Sequence, residues 1–140
     1  MKKSVLILMV LFCGVSLSGC VTTGTDAALS SSESQVALRQ MQSRSFETSD
    51  RTKTLRTIIT TMQDLGFVID KADQELGSIS GTKLDGYQLR MTVLVRPKGK
   101  EIIVRANAQY NIQAVEDPEP YQQFFSALSK AMFLEANNVG

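Results

Sequence analysis

The sequence predicts an α+β fold: a two-layer sandwich in which an antiparallel sheet of about four strands carries two helices on one face, in the order β-α-β-β-β-α. Three observations carry that expectation. Leu55, Ile58, Ile59, Met62 and Leu65 recur at three- and four-residue spacing, the stripe of an amphipathic helix. Tyr121, Phe124, Phe125, Leu128, Ala131 and Met132 do the same near the carboxyl end, where core packing accounts for the aromatics. Between the stripes, Tyr87, Leu89, Met91, Val93 and Val95, then Ile102, Val104, Ala106, Ala108, Tyr110 and Ile112, alternate with more polar residues at the period of half-buried strands. A hairpin sheet with one apolar face needs a cover, so both helices are expected on that face.

Taken in order, residues 1–19 read as an export signal. Lys2 and Lys3 precede an apolar run from Val5 to Val15, which is too short to span a bilayer, and small residues lead to Cys20. Residues 20–38 carry Cys20 and a flexible tether of Thr, Gly, Ser and Ala, a composition that cannot bury enough apolar surface to fold. Val36-Ala37-Leu38 can begin a short helical turn. The folded domain is placed at 39–140. Arg44 to Thr48 is a short first strand, and Ser49 or Asp50 caps the first helix. Gly66 ends that helix in the left-handed conformation, which sets Phe67 against Met62.

Phe67-Val68-Ile69 opens a strand, Asp73 to Gly77 turns it, Ser78 to Lys83 returns, and Leu84-Asp85-Gly86 connects to the long hairpin. A two-residue tip at Lys98-Gly99 is expected there. It sets Val95 opposite Ile102, Val93 opposite Val104, Met91 opposite Ala106 and Tyr87 opposite Tyr110, with Arg96 facing Glu101 and Leu94 facing Ile103 on the outer side. Asp117, Pro118 and Glu119 form the start of the last helix.

Composition narrows the function. Removal of Lys2 and Lys3 from 15 basic residues leaves 13 against 14 acidic ones, a balance with no pull toward nucleic acid. With no His, and with Cys13 and Cys20 as the two cysteines, the commonest metal ligand and general base are missing. Asp70, Asp73 and Glu75 lack the alternating oxygens of a calcium loop and fit a solvated hairpin tip. Glu116, Asp117 and Glu119 are explained by a helix amino terminus. No nucleophile elbow or phosphate loop is present, so the expectation is a non-catalytic protein without metal or cofactor.

The run Leu17-Ser18-Gly19-Cys20 resembles the lipobox of bacterial lipoproteins. That resemblance implies acyl chains on Cys20 as the membrane anchor; with Val21 rather than Asp following the cysteine, it implies the outer membrane, with the domain facing the periplasm. Leu65-Gly66-Phe67-Val68-Ile69-Asp70, with Leu76-Gly77-Ser78-Ile79 a few residues on, is similar to the helix, strand, turn and strand unit of the helix-grip domains of the BamC family of outer-membrane lipoproteins, over about residues 44 to 136 by element order. It implies the helix-grip fold and the lipoprotein habit, and names no partner.

Two functions follow as expectations. The first is a binding or accessory subunit of an envelope protein assembly. Its partner surface would be the sheet face away from the helices: Arg90, Thr92, Leu94, Arg96, Ile103, Arg105 and Asn107, flanked by Gln88 and Gln109. Arginine and amide donors around a small apolar centre make a composition found at protein interfaces. The alternative is a periplasmic carrier that holds an apolar ligand or lipid between the last helix and the sheet.

Overall fold

A computed structural model of the chain describes residues 34–84 and 86–137. The expected signal, Cys20, the tether as far as residue 33 and Asp85 lie outside the described residues. In chain order the elements are a helix at 34–41 (α1), β1 (Ser43–Phe46), α2 (Arg51–Asp64), β2 (Val68–Asp73), β3 (Ser78–Leu84), β4 (Gln88–Lys98), β5 (Glu101–Tyr110), β6 (Gln113–Ala114) and α3 (Glu119–Asn137). The strands form one antiparallel sheet in the order β1-β5-β4-β3-β2, and the short β6 pairs with the end of β5. The fold is the expected α+β sandwich with a wider sheet. Helical residues begin at Ser34, ahead of the boundary expected at 39, and Leu38 and Met41 pack against the core.

Local chemistry accounts for both ends of α2. Asp50 Oδ1 accepts the Lys53 N–H at 2.9 Å, the bond of an N-cap. At the other end Gly66 takes φ 88°, its N–H reaches the Gln63 carbonyl at 2.9 Å, and the Phe67 N–H reaches the Met62 carbonyl at 2.9 Å, the two bonds of a Schellman stop. Leu55, Ile58 and Met62 are buried as the stripe requires, and Ile59 and Leu65 are half-buried. Thr54, Thr57 and Thr61 are buried beside them, a row that apolar periodicity does not count. Each hydroxyl donates to the carbonyl one turn back, on Asp50 (2.8 Å), Lys53 (3.0 Å) and Thr57 (2.8 Å), so burial leaves none unpaired.

Met62 of α2 comes close to the sheet at Gly81. A Cβ there would lie 2.9 Å from Met62 Cε and 3.0 Å from the Val68 carbonyl oxygen, so glycine is what lets Met62 and Phe67 settle on β3. Inward residues of β4 and β5, from Leu89 to Val95 and from Ile102 to Ala108, are buried under Tyr121, Phe124, Phe125 and Leu128 of α3. Tyr121 adds a polar tie. Its hydroxyl donates to the Val115 carbonyl at 2.9 Å and accepts from the Ala108 N–H at 3.2 Å and from Gln42 Nε2 at 3.3 Å. One buried oxygen thereby joins α3 to β5, to the loop before α3 and to the start of β1.

The long hairpin departs from expectation. The observed pairs are Val95 with Val104, Val93 with Ala106, Met91 with Ala108 and Leu89 with Tyr110, while Arg96 faces Ile103, Lys98 faces Glu101 and Leu94 faces Arg105. The tip is Gly99-Lys100, and Gly99 has φ 64°. A two-residue turn of either hairpin type needs positive φ at its first central position, which the expected tip assigns to Lys98 and the observed one to glycine. The slip is two residues along one strand, so the inward set is unchanged. Ile112, expected inward, is instead exposed, because the chain reverses at Asn111 (φ 54°) and brings Val115 into the core.

Tyr121→Phe tests the polar tie. It leaves the Ala108 N–H and the Val115 carbonyl without that partner, at about 1–3 kcal/mol for each buried group left unpaired. Urea unfolding should show a loss of about 2 kcal/mol or more; a variant as stable as the parent would mean that the hydroxyl does not join these elements.

Candidate functional site

Strand alternation decides what the open face displays. With odd residues of β4 and even residues of β5 under the helices, Gln88, Arg90, Thr92, Leu94 and Arg96 emerge on the other side together with Ile103, Arg105, Asn107 and Gln109. Every residue expected at the partner surface lies there. Across the two strands, Arg90 faces Gln109, Thr92 faces Asn107, Leu94 faces Arg105 and Arg96 faces Ile103. Leu94 and Ile103 are therefore diagonal neighbours rather than the direct pair expected, and each is half-buried beside an arginine.

The face extends beyond β4 and β5. β3 contributes Ser78 opposite Leu94, Ser80 opposite Thr92 and Thr82 opposite Arg90, and β1 contributes Ser43 opposite Arg105 and Ser45 opposite Ile103. The period-two spacing of Ser78, Ser80 and Thr82 about Ile79 and Gly81 was the available signal. Ser80 and Thr92 share a hydrogen bond at 3.3 Å, Thr82 donates to Asp70 at 2.6 Å and Ser45 donates to Glu101 at 2.8 Å. The acids of this face thus sit at its rim, engaged by hydroxyls. Arg90, Arg96 and Arg105 are exposed and make no hydrogen bond or ion pair with the described residues. The centre is cationic, with amide and hydroxyl groups around a small aliphatic patch. Arg90, Thr92, Asn107 and Gln109 also line a shallow hollow of about 350 Å³ bounded by Gln42 and Ala114.

On the helix side the interior itself is filled. Between α3 and the sheet the space is filled by Tyr121, Phe124, Leu128, Val93 and Val104, all fully buried. A hollow of about 200 Å³ opens at one end, between Leu65, Phe67, Tyr87, Leu89, Tyr110 and Pro120, and falls below the roughly 300 Å³ usual for ligand pockets. An open groove of about 680 Å³ runs at the other end, where Phe46 and Thr48 approach Met132 and Phe133.

Among the described residues no group of three or more His, Cys, Asp or Glu is placed to share a metal ion, and no helix is long and apolar enough to cross a membrane. Two of the acidic residues noted in the sequence close local turns. Asp73 Oδ1 accepts the Leu76 N–H at 2.9 Å, and Asp117 Oδ1 accepts the Glu119 N–H at 2.9 Å. A scan of the chain against protein-family models finds no match, and a search of curated protein sequences finds none either.

Tyr110 provides a probe of the helix-side hollow. Its phenol is pushed up from 10.0 to about 12, chiefly by partial burial and then by its hydrogen bond with Tyr87 and the charges of Tyr87, Asp117 and Glu119. A raised folded pKa means that the fold holds the proton more tightly than the unfolded chain does. The associated stability is present below pH 10 and is lost as pH rises through about 12. Denaturation midpoints should fall more steeply across that window in the parent than in Tyr110→Phe, and parallel curves would contradict the assignment.

Proposed function

We propose that this chain is an outer-membrane lipoprotein, held by acyl chains on Cys20 with its domain in the periplasm, and that it serves as a non-catalytic binding subunit of an envelope protein assembly. The observation that supports docking is the open sheet face. Arg90, Arg96 and Arg105 have no partner among the described residues and surround the half-buried Leu94 and Ile103. Exposed cations beside an apolar centre bind most strongly once a partner excludes water from them, which is the composition of interface centres enriched in arginine. The opposite face is consumed by the core, and its filled interior supports docking over the carriage of an apolar ligand. The lipobox-like order of Leu17, Ser18, Gly19 and Cys20 supports the anchor.

The triple change Arg90→Ala, Arg105→Ala and Ile103→Ser tests the face. The two exposed arginine changes are worth about 0.5 kcal/mol or less each and the half-buried Ile103→Ser about 1 kcal/mol, so folding should survive. Envelope proteins that co-purify with the parent in mild detergent should be lost. If the variant folds and still brings down the full partner set, the sheet is a solvated surface and the docking site lies elsewhere. Cys20→Ser tests the anchor separately: metabolic labelling with a fatty acid should mark the parent and leave the variant unmarked, and a labelled variant would refute it.

A further inference from the structure

Four large apolar side chains that the domain leaves exposed gather at one end of the sheet. Val68 (72%) begins β2, Leu84 (81%) closes β3, Tyr87 (55%) precedes β4, and Ile112 (92%) lies in the turn between β5 and β6. The register brings them together. Leu84 pairs with Gln88, Leu89 pairs with Tyr110, and the Asn111 N–H donates to the Gln88 carbonyl at 3.0 Å, so the β3–β4 connection and the β5–β6 turn are adjoining tips. The Tyr87 ring stands edge-on to Tyr110, 4.6 Å between centroids, at the rim of this end. The opposite turns of the sheet are polar, with Gln74 and Glu75 between β2 and β3 and Lys98 and Lys100 at the hairpin. Leu76 is the one large apolar residue exposed in those turns, and Phe133 (67%) and Leu134 (52%) are exposed near that end on α3 rather than on the sheet.

We propose that the apolar end is a membrane-contacting tip, with Leu84, Tyr87 and Ile112 seated at the headgroup–acyl boundary of the bilayer that anchors Cys20. Hairpin tips suit this role, since the ladder bonds behind them are satisfied within the sheet and only side chains need enter the apolar layer. Tyrosine favours that boundary, where its ring is buried and its hydroxyl stays wet. The inference rests on the lipoprotein reading for its tether. In that reading only the 13 residues 21–33 separate Cys20 from the described domain, a length that keeps the tip near the lipid at an effective concentration of the order of millimolar. A contact too weak to recruit a free protein is populated under those conditions. Lys83 and Glu119 both line the hollow beside Tyr87 and Tyr110 and offset one another, so the contact is apolar and a zwitterionic lipid suffices as its surface. The strands then stand on the membrane, and the arginine face is turned sideways along the bilayer.

The chain has no tryptophan, so single reporters can be placed without background. Ile112→Trp and Leu76→Trp are made in the full chain, purified from membranes, checked for acylation of Cys20 by mass, and reconstituted in phosphatidylcholine vesicles brominated along the acyl chains. Trp at 112 should lose most of its emission relative to unbrominated vesicles, and Trp at 76 should lose almost none. Adding Leu84→Asp to the Ile112→Trp variant should restore the emission. Equal quenching at both positions, or quenching at neither, overturns the tip. Shielding of Trp at 112 from a water-soluble quencher without quenching by bromine also overturns it, and assigns this end to a protein partner or a second copy. If the mass shows Cys20 unacylated, the lipoprotein reading has failed on its own; the same variants coupled through the Cys20 thiol to a maleimide lipid in the brominated vesicles then decide the tip, with bromine quenching at 112 upholding it and none overturning it.

Discussion

A sheet that buries one face against helices and leaves the other to water divides every strand residue between two environments, and that division organises the domain. The burial of Val93, Val95, Ile102, Val104 and Ala106 requires Phe124, Phe125 and Leu128 of α3 and Ile58 and Met62 of α2 above them. Each of the larger side chains contributes about 1.5–3 kcal/mol when fully removed from water. The layer must still satisfy polar groups at its margins. Tyr121 does so with a single hydroxyl that accepts from Ala108 and Gln42 and donates to Val115. Its bonds draw the ends of three segments to one point, which apolar contacts alone do not specify.

The same division protects the candidate site from an error of register. Moving the hairpin tip from Lys98-Gly99 to Gly99-Lys100 changes every cross-strand pair and leaves the facing of every side chain intact, because side chains repeat with period two. The open face therefore keeps its membership while its internal pairs change. Leu94 lies against Arg105 and Ile103 against Arg96, so the aliphatic groups are interleaved with the guanidinium groups rather than stacked in one pair. Guanidinium stems cover apolar surface well, and such a mixed lattice stays soluble while remaining able to bury area against a partner.

The charges of this face have a spatial order that composition hides. A chain with 15 basic and 14 acidic residues is close to neutral, yet along β4 and β5 the open face carries Arg90, Arg96 and Arg105, with Glu101 held by Ser45 and Asp70 held by Thr82 at the margins. A second copy laid face to face would oppose arginines to arginines, which disfavours self-association through this surface. The bulge at Asp70 and the adjacent Lys71 blunt the β2 edge in the same way, placing charge where an incoming strand would pair. Both features disfavour pairing of the sheet with a second copy of itself.

The sequence by itself determined the fold class, the two long helices, and the facing of the main strands as far as Tyr110. Stripes at 55–65 and 121–132 and alternation from 87 to 110 are consequences of burial, and burial acts on each element separately. The caps at Asp50 and Gly66 were legible for the same reason, since a helix end is satisfied within a few residues. Other features were decided by tertiary structure. The buried threonines of α2 read as polar until their hydroxyls are seen bonded one turn back. The hairpin register turned on which residue could adopt positive φ, and the reversal at Asn111 exchanged Ile112 for Val115 in the core. The meeting of Leu84, Tyr87 and Ile112 depends on strands distant in sequence lying side by side. Periodicity within one element carries no information about which tips become neighbours, because that is set by the pairing of the whole sheet.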